Sequence, residues 1–332
     1  MPINSALAPR HLHIIIPCRN CGQWLAQCLA SLVSQERDDW SATVADDAST
    51  DDTVNAARDY LSDPRITFLR QRTRLGLMGN TLSAIDAAAP GPRDVVAILD
   101  GDDMLLPGAL ARVMQTHALG YDVVWTDMDI QGTEGSTGAP LIPGIPVRQQ
   151  LWCLSQLRTF KGYLLDGLDR SVLCDDSGLP VRAAGDLALY FALIERAGVE
   201  KTAFIPEKLY WYRQHAANNC TALREEQLAN NARLRALPPL PRQTQHFDVH
   251  ITALGLEKLR LRAFGQSLRA DYPLPYSICV HHDIGRESGD SWAAYHDKWI
   301  AEGVYLTARP NPQTPEPLHG QDGVSAPTGH GA

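Results

Sequence analysis

The stretch Val95-Val96-Ala97-Ile98-Leu99-Asp100-Gly101-Asp102-Asp103 decides how this chain is read. Its unbroken apolar run predicts a strand buried on both faces, as in a parallel sheet. It then delivers three carboxylates at the C-terminal edge, where open α/β sheets bind their ligands. Acids so close repel one another unless a cation sits among them. Hard divalent ions such as Mg²⁺ and Mn²⁺ take carboxylate oxygen and share it with substrate phosphates, so they suit such a place. A solvated acidic turn is the plainer alternative.

Working outward, the same alternation recurs on both sides. A first strand, His11 to Pro17, leads through the loop Cys18-Arg19-Asn20-Cys21-Gly22 into a helix whose Trp24, Leu25, Cys28, Leu29, Leu32 and Val33 share one face. Ser41 to Ala45 runs into Asp46 and Asp47, and Ser49, Thr50 or Asp51 can cap the helix that follows. A third strand, Arg65 to Arg70, precedes the loop Leu75 to Asn80 and a helix from Asn80 to Ala89. After Asp103, helix Pro107 to Ala118 and strand Tyr121 to Asp127 extend the pattern. This predicts a mostly parallel α/β sheet with helices on both faces, its loops at Pro17, Asp46 and Asp100 gathering in one crevice. Gln131 to Pro146 reads as a loop, and Arg148 to Glu207 as mainly helical. Within it, Asp186 opens an apolar helix running to Glu195, where the helix dipole favours an acid as cap or as functional group. Lys208 to Arg213 is strand-like and is followed by His215.

Composition excludes some classes. The net charge is -8, and no cluster of Lys and Arg forms a basic stripe, so nucleic acid is not an expected partner. No apolar run approaches the ~18 residues needed to span a bilayer, and residues 1–10 lack a signal-peptide core. A cytoplasmic protein is expected, with peripheral membrane contact compatible with it. The seven cysteines are odd in number and dispersed, as reduced thiols used for packing would be, although Cys18 and Cys21 form a Cys-x-x-Cys.

The order of these motifs is specific. Ile16-Pro17-Cys18-Arg19-Asn20, Ala45-Asp46-Asp47-Ala48-Ser49-Thr50-Asp51, Gly76 through Asn80, Leu99-Asp100-Gly101-Asp102-Asp103, Asp186 with Glu195-Arg196-Ala197-Gly198, and Tyr212-Arg213-Gln214-His215 resemble, in that order, family 2 glycosyltransferases of the GT-A fold. The resemblance covers roughly residues 11–220. It implies a Rossmann-like GT-A sheet and inverting transfer of a sugar from a nucleotide diphosphate donor, often uridine-linked, to a glycan or glycoconjugate hydroxyl. It implies donor contacts at Pro17, Asn20, Asp46, Asp47, Gly76, Asn80, Asp100 and Gly101; separately, the negative charge of a leaving diphosphate makes Arg74 or Arg70 a candidate to assist the phosphates. It implies Mn²⁺ or Mg²⁺ held by Asp100, Asp102 and His215, and Asp186 as general base. Arg19 stands where the family usually has an aromatic residue. The Gln-x-x-Arg-Trp of processive synthases is absent, so single-sugar transfer is expected.

Beyond Leu237-Pro238-Pro239-Leu240-Pro241 the chain starts over. Val249 to Thr252, a helix carrying Leu259, Phe264 and Leu268, and Ile278 to Asp283 follow the first strand, first helix and second strand at a constant offset of 235 positions. A further helix, Trp292 to Glu302, and strand, Val304 to Ala308, give a small βαβαβ-like partial repeat without an Asp-x-Asp. His281, His282 and His296 are candidate metal ligands there. The expected organisation is an N-terminal extension (1–10), a GT-A glycosyltransferase domain (11–236), a Pro-rich linker (237–245), a partial repeat (246–309) that offers a surface for self-association, and a disordered tail (310–332). A nucleotide-sugar-binding scaffold that keeps the fold without turnover is the alternative to an enzyme.

Overall fold

The computed structural model describes residues 9–215 and 223–243, together with the backbone of three strands further on. The chain divides into two compact units that meet in sequence at Gln243 and Thr244. In the first, β1 (Leu12–Cys18), β2 (Trp40–Asp46), β3 (Ile66–Arg70) and β4 (Val95–Ile98) alternate with α1 (Leu25–Val33), α2 (Thr53–Ala57) and α3 (Gly76–Ala88). There follow β5 (Met104–Leu105), α4 (Ala109–Ala118), β6 (Val123–Ile130), β7 (Arg158–Lys161), α5 (Gly185–Ala197), β8 (Thr202–Tyr212) and α6 (Arg224–Ala236).

These strands form one eight-stranded sheet in the order β3-β2-β1-β4-β7-β6-β8-β5. The first four strands pair in parallel, as the strand-helix alternation requires. Ile14 and Ile16 of β1 pack among residues of α1, α2 and α4, whereas Ile15 packs on the opposite face among residues of α3 and α5. Each such buried side chain contributes roughly 1.5–3 kcal/mol, and a strand covered on both faces therefore reads as an apolar run.

The sheet departs from the expected plan at its centre. The region Arg148 to Glu207, expected to be mainly helical, contains β7, which lies antiparallel between β4 and β6. Four residues are too few to establish an alternating pattern. Thr159 and Phe160 are both fully buried, and the charge of Lys161 is hidden in a pair with Asp122, so the polarity of the segment conceals its position. Strand β8 begins at Thr202, well before the strand-like stretch at Lys208; Pro206 interrupts the pattern near a shift in the β6–β8 register, where a proline is tolerated. Helix α3 begins at Gly76, earlier than expected, because its first N–H groups are held by a residue far away in sequence, Asp47.

The Pro-rich stretch lies along α5. Leu240 donates its N–H to Glu195 (2.9 Å), and Gln243 donates to the carbonyl of Arg196 (2.9 Å). In the second unit, β9 (Gln245–Ile251), β10 (Tyr276–Ile284) and β11 (Val304–Pro310) pair in parallel in the order β11-β10-β9, the order that β3-β2-β1 has in the first. Their register differs: Ile251 stands opposite His282, where the 235-residue offset would place Cys279. The expectations for the two helices between these strands, for residues 311–332, and for His281, His282 and His296 as ligands lie outside the described residues and side chains.

Candidate active site

The site is built on the ends of β1, β4 and β8. Beyond β4 the Leu99 N–H bonds the carbonyl of Ile15 at 2.9 Å, and the Gly101 N–H bonds the carbonyl of Pro17 at 3.2 Å. A Cβ at position 101 would meet the Cβ of Cys18 at 2.6 Å, so only glycine lets the acidic loop lie against β1. The carboxylate of Asp100 accepts a hydrogen bond from Gln156 Nε2 at 3.2 Å, and its N–H donates to the hydroxyl of Tyr210 at 3.2 Å.

Strand β8 closes over this loop. Buried Asp103 accepts the Tyr210 hydroxyl at 2.7 Å and the Arg213 N–H at 2.8 Å, while Arg213 Nε donates to the carbonyl of Asp102 at 2.8 Å. The chain direction so fixed brings His215 Nε2 to 2.8 Å from Asp102 Oδ2. Its ring stacks on Trp24, with centroids 4.2 Å apart and planes at 22°.

Asp186 reaches the same edge from the first turn of α5, where it also accepts the Leu187 N–H at 2.9 Å. Arg158 Nη1 lies 3.2 Å from Asp186 Oδ2. Arg158 opens β7, opposite Ile98 on β4 and Trp125 on β6, which puts a buried cation beside the acidic loop. Burial first and the neighbouring Asp102 second push the Asp100 carboxyl up to about 7; Arg158 pulls it down, and Asp186 pushes it up again. Burial, Asp100 and Asp102 push Asp103 up to about 8. Asp100, Asp102 and Asp186 therefore share one electrostatic neighbourhood in which negative charge exceeds what Arg158 balances.

The residues expected to hold the nucleoside are differently engaged. Asp47 accepts the N–H groups of Leu75 (2.5 Å) and Gly76 (3.0 Å), so it caps α3. Asp46, fully buried, accepts the Ser49 N–H at 3.1 Å and pairs with Arg70 at 3.4 Å. Asn20, at φ 54°, accepts the Thr50 N–H at 3.0 Å and joins the β1–α1 loop to the β2–α2 loop. Asn80 is buried and donates to the carbonyl of Ala45 at 2.6 Å. Gly76, at φ 76°, supplies a turn few other residues adopt. Arg74 is exposed. Asn20, Asp46, Asp47 and Asn80 thus fasten the loops beyond β1 and β2, whereas Pro17, Asp100, Gly101, Asp102 and His215 lie at the ends of β1, β4 and β8.

Among the described residues no group of three His, Cys, Asp or Glu side chains is arranged to hold a metal by itself. The donor set nevertheless fits a hard divalent ion, which is commonly held by one or two carboxylates and completed by phosphate oxygens and water. Cys18, Cys21 and Cys28 are free and buried, and burial pushes the Cys21 thiol up to about 12, so the Cys-x-x-Cys packs rather than reacts. Gln156, Tyr210 and Trp24 carry no signal as site residues in the sequence. Arg158 falls in the stretch Leu157 to Lys161, which the sequence places either at the start of an acceptor region or in a structural loop.

Residues 13–174 match the family described as Glycosyl transferase family 2. A putative glycosyltransferase EpsE of Bacillus subtilis is 29% identical over 167 residues, which cover 45% of this chain and 59% of that protein. The GalNAc(5)-diNAcBac-PP-undecaprenol beta-1,3-glucosyltransferase of Campylobacter jejuni is 36% identical over 112 residues, 33% of this chain and 35% of that one. The alignments thus span less than two thirds of these relatives. Among solved structures, S. aureus TarS 1-349 superposes with a TM-score of 0.51 at 19% identity, covering 61% of this chain and 60% of that one. Glucosyl-3-phosphoglycerate synthase from Mycobacterium tuberculosis, in complex with Mn²⁺, uridine diphosphate and glucosyl-3-phosphoglycerate, superposes with a TM-score of 0.50 at 18% identity, covering 71% and 84%.

Proposed function

Because this chain carries a glycosyl transferase family 2 domain on a GT-A fold, we propose that it transfers a single sugar, with inversion, from a nucleoside diphosphate donor to a glycan or glycoconjugate hydroxyl. The observation that carries the reading is the gathering of Asp100, Asp102 and Asp186 at one sheet edge, with His215 bonded to Asp102. A divalent ion bound by Asp102 and His215, with Asp100 beside it, would offset the charge that accumulates on the leaving diphosphate. Uridine is the expected base, and the C. jejuni relative, named for an undecaprenol-linked substrate, supports a glycoconjugate acceptor.

The rest follows from the chain's own groups. Asp186 accepts the proton of the acceptor hydroxyl as that oxygen bonds the anomeric carbon and the bond to the diphosphate breaks from the opposite face. One displacement with one base inverts the centre. Asp103, through Tyr210 and Arg213, holds His215 over Asp102. Asn20 and Asp47 hold the loops on which a nucleoside would rest.

Thermal shift against a panel of nucleotide-sugars, with and without Mn²⁺ or Mg²⁺, followed by an assay for released nucleoside diphosphate, tests the proposal. Metal-dependent stabilisation by one donor together with turnover supports it. Absence of any donor-induced shift overturns it, and binding without turnover on a broad acceptor panel favours the scaffold reading.

A further inference from the structure

We propose that Arg158 is a positioning residue for transfer, fixing the Asp186 carboxylate at the sheet edge where the acceptor hydroxyl must lose its proton; the inference rests on the reading of Asp186 as base.

Arg158 is set before any substrate arrives. Its Nε donates to the carbonyl of Leu154 at 3.1 Å, and its guanidinium carbon lies 5.5 Å from the ring centre of Trp152 and 5.6 Å from that of Tyr190. Tyr190 is one turn along α5 from Asp186, so one guanidinium touches both the helix and its acid. From this seat Nη1 reaches Asp186 Oδ2 at 3.2 Å. The Asp186 carboxylate also accepts the Leu187 N–H of its own helix, through the other oxygen, at 2.9 Å.

The Arg158 side chain is 12% exposed and that of Asp186 32%, and an ion pair so placed contributes little net stability compared with apolar residues of similar size. A cation at the first residue of β7, between the ends of β4 and β6, is explained by what it orients.

The test compares Arg158→Gln, Arg158→Lys and Asp186→Asn in the full chain, measuring donor Kd, kcat and KM with whichever donor the panel selects. Arg158→Gln is expected to lower kcat about 10²-fold, the scale of a small misplacement of a reacting group, with donor Kd within twofold of the parent. Arg158→Lys is expected to recover at least tenfold of that loss, and tens of millimolar guanidinium chloride to raise turnover of Arg158→Gln but not of Asp186→Asn. Unchanged turnover in Arg158→Gln, or a loss of donor affinity that accounts for its defect, overturns the inference. If Arg158→Gln does not fold, Arg158→Lys decides: folded, with parental donor affinity, it must show a kcat defect smaller than that of Asp186→Asn. A parent and an Asp186→Asn variant of equal activity would instead reject the base assignment beneath it.

Discussion

His215 Nε2 lies 2.8 Å from Asp102 Oδ2, although 113 positions separate them in the chain. The contact exists because Asp103 pins the Arg213 N–H and Trp24 stacks on the imidazole. If the pair contributes to a cation site, His215→Ala should weaken Mn²⁺ binding in the presence of uridine diphosphate about tenfold or more, and Trp24→Leu, which frees the ring without removing it, by less. Titration followed by the Mn²⁺ electron paramagnetic resonance signal measures both. Parental affinity in His215→Ala would leave the ion without a histidine ligand.

Much of this arrangement was legible before any coordinates. β1, β4 and the acidic loop advertise themselves because strands buried on both faces must be apolar and Gly101 must be small. The order of the motifs points to Asp102, His215 and Asp186 as candidates, and the structure brings all three to one sheet edge. What escaped depends on pairing between distant segments: β7 is a four-residue insertion whose burial no local pattern encodes, and Arg158 gains its meaning only from lying opposite Ile98. Asp47 shows the reverse. Its place on a strand tip was evident, but its bonds to Leu75 and Gly76 make it a helix cap supplied from another loop, which spacing cannot reveal.

Asp47→Ala should therefore destabilise the fold as well as disturb donor binding. Removing both acceptors from the start of α3 costs about 1–2 kcal/mol, the upper range for a lost N-cap, and lowers Tm by several degrees. Calorimetry of the donor-free protein checks it. A Tm equal to that of the parent, with donor affinity lost, would show that Asp47 is a ligand and not a cap.

The raised carboxyls give a pH dependence of definite sign. Asp100 and Asp103 titrate in the folded chain at about 7 and about 8, against an ordinary carboxylate value of 3.8, so the native state binds more protons than the unfolded one in between. Their contribution to stability is complete below the unfolded value and is lost as pH rises through the folded values. His117, which burial and Lys161 lower to about 3, loses its contribution only as pH falls below its ordinary 6.5. Between about pH 6.5 and 8.5 the acids thus act without it. In the presence of a chelator, Tm should fall across that window, and Asp103→Asn should flatten the slope. A Tm that rose across that window, or an unchanged slope in Asp103→Asn, would overturn the argument.

Gly101→Ala tests the seam between the acidic loop and β1. The added methyl would meet Cys18 Cβ at 2.6 Å and lie 3.5 Å from the carbonyl oxygen of Pro17, and neither neighbour is the free end of a flexible side chain. The backbone must yield, which costs about 1–3 kcal/mol for an overpacked core position. Because the Gly101 N–H bonds Pro17, the loop moves with the carboxylates it carries, and Asp100 leaves the reach of Gln156. Donor affinity should fall together with Tm. The double variant Gly101→Ala, Cys18→Gly, which removes the opposing Cβ, should recover part of both losses, since the 2.6 Å contact is with that atom alone. Recovery of Tm without recovery of donor affinity would separate packing from function at this seam and place the donor elsewhere along the sheet edge.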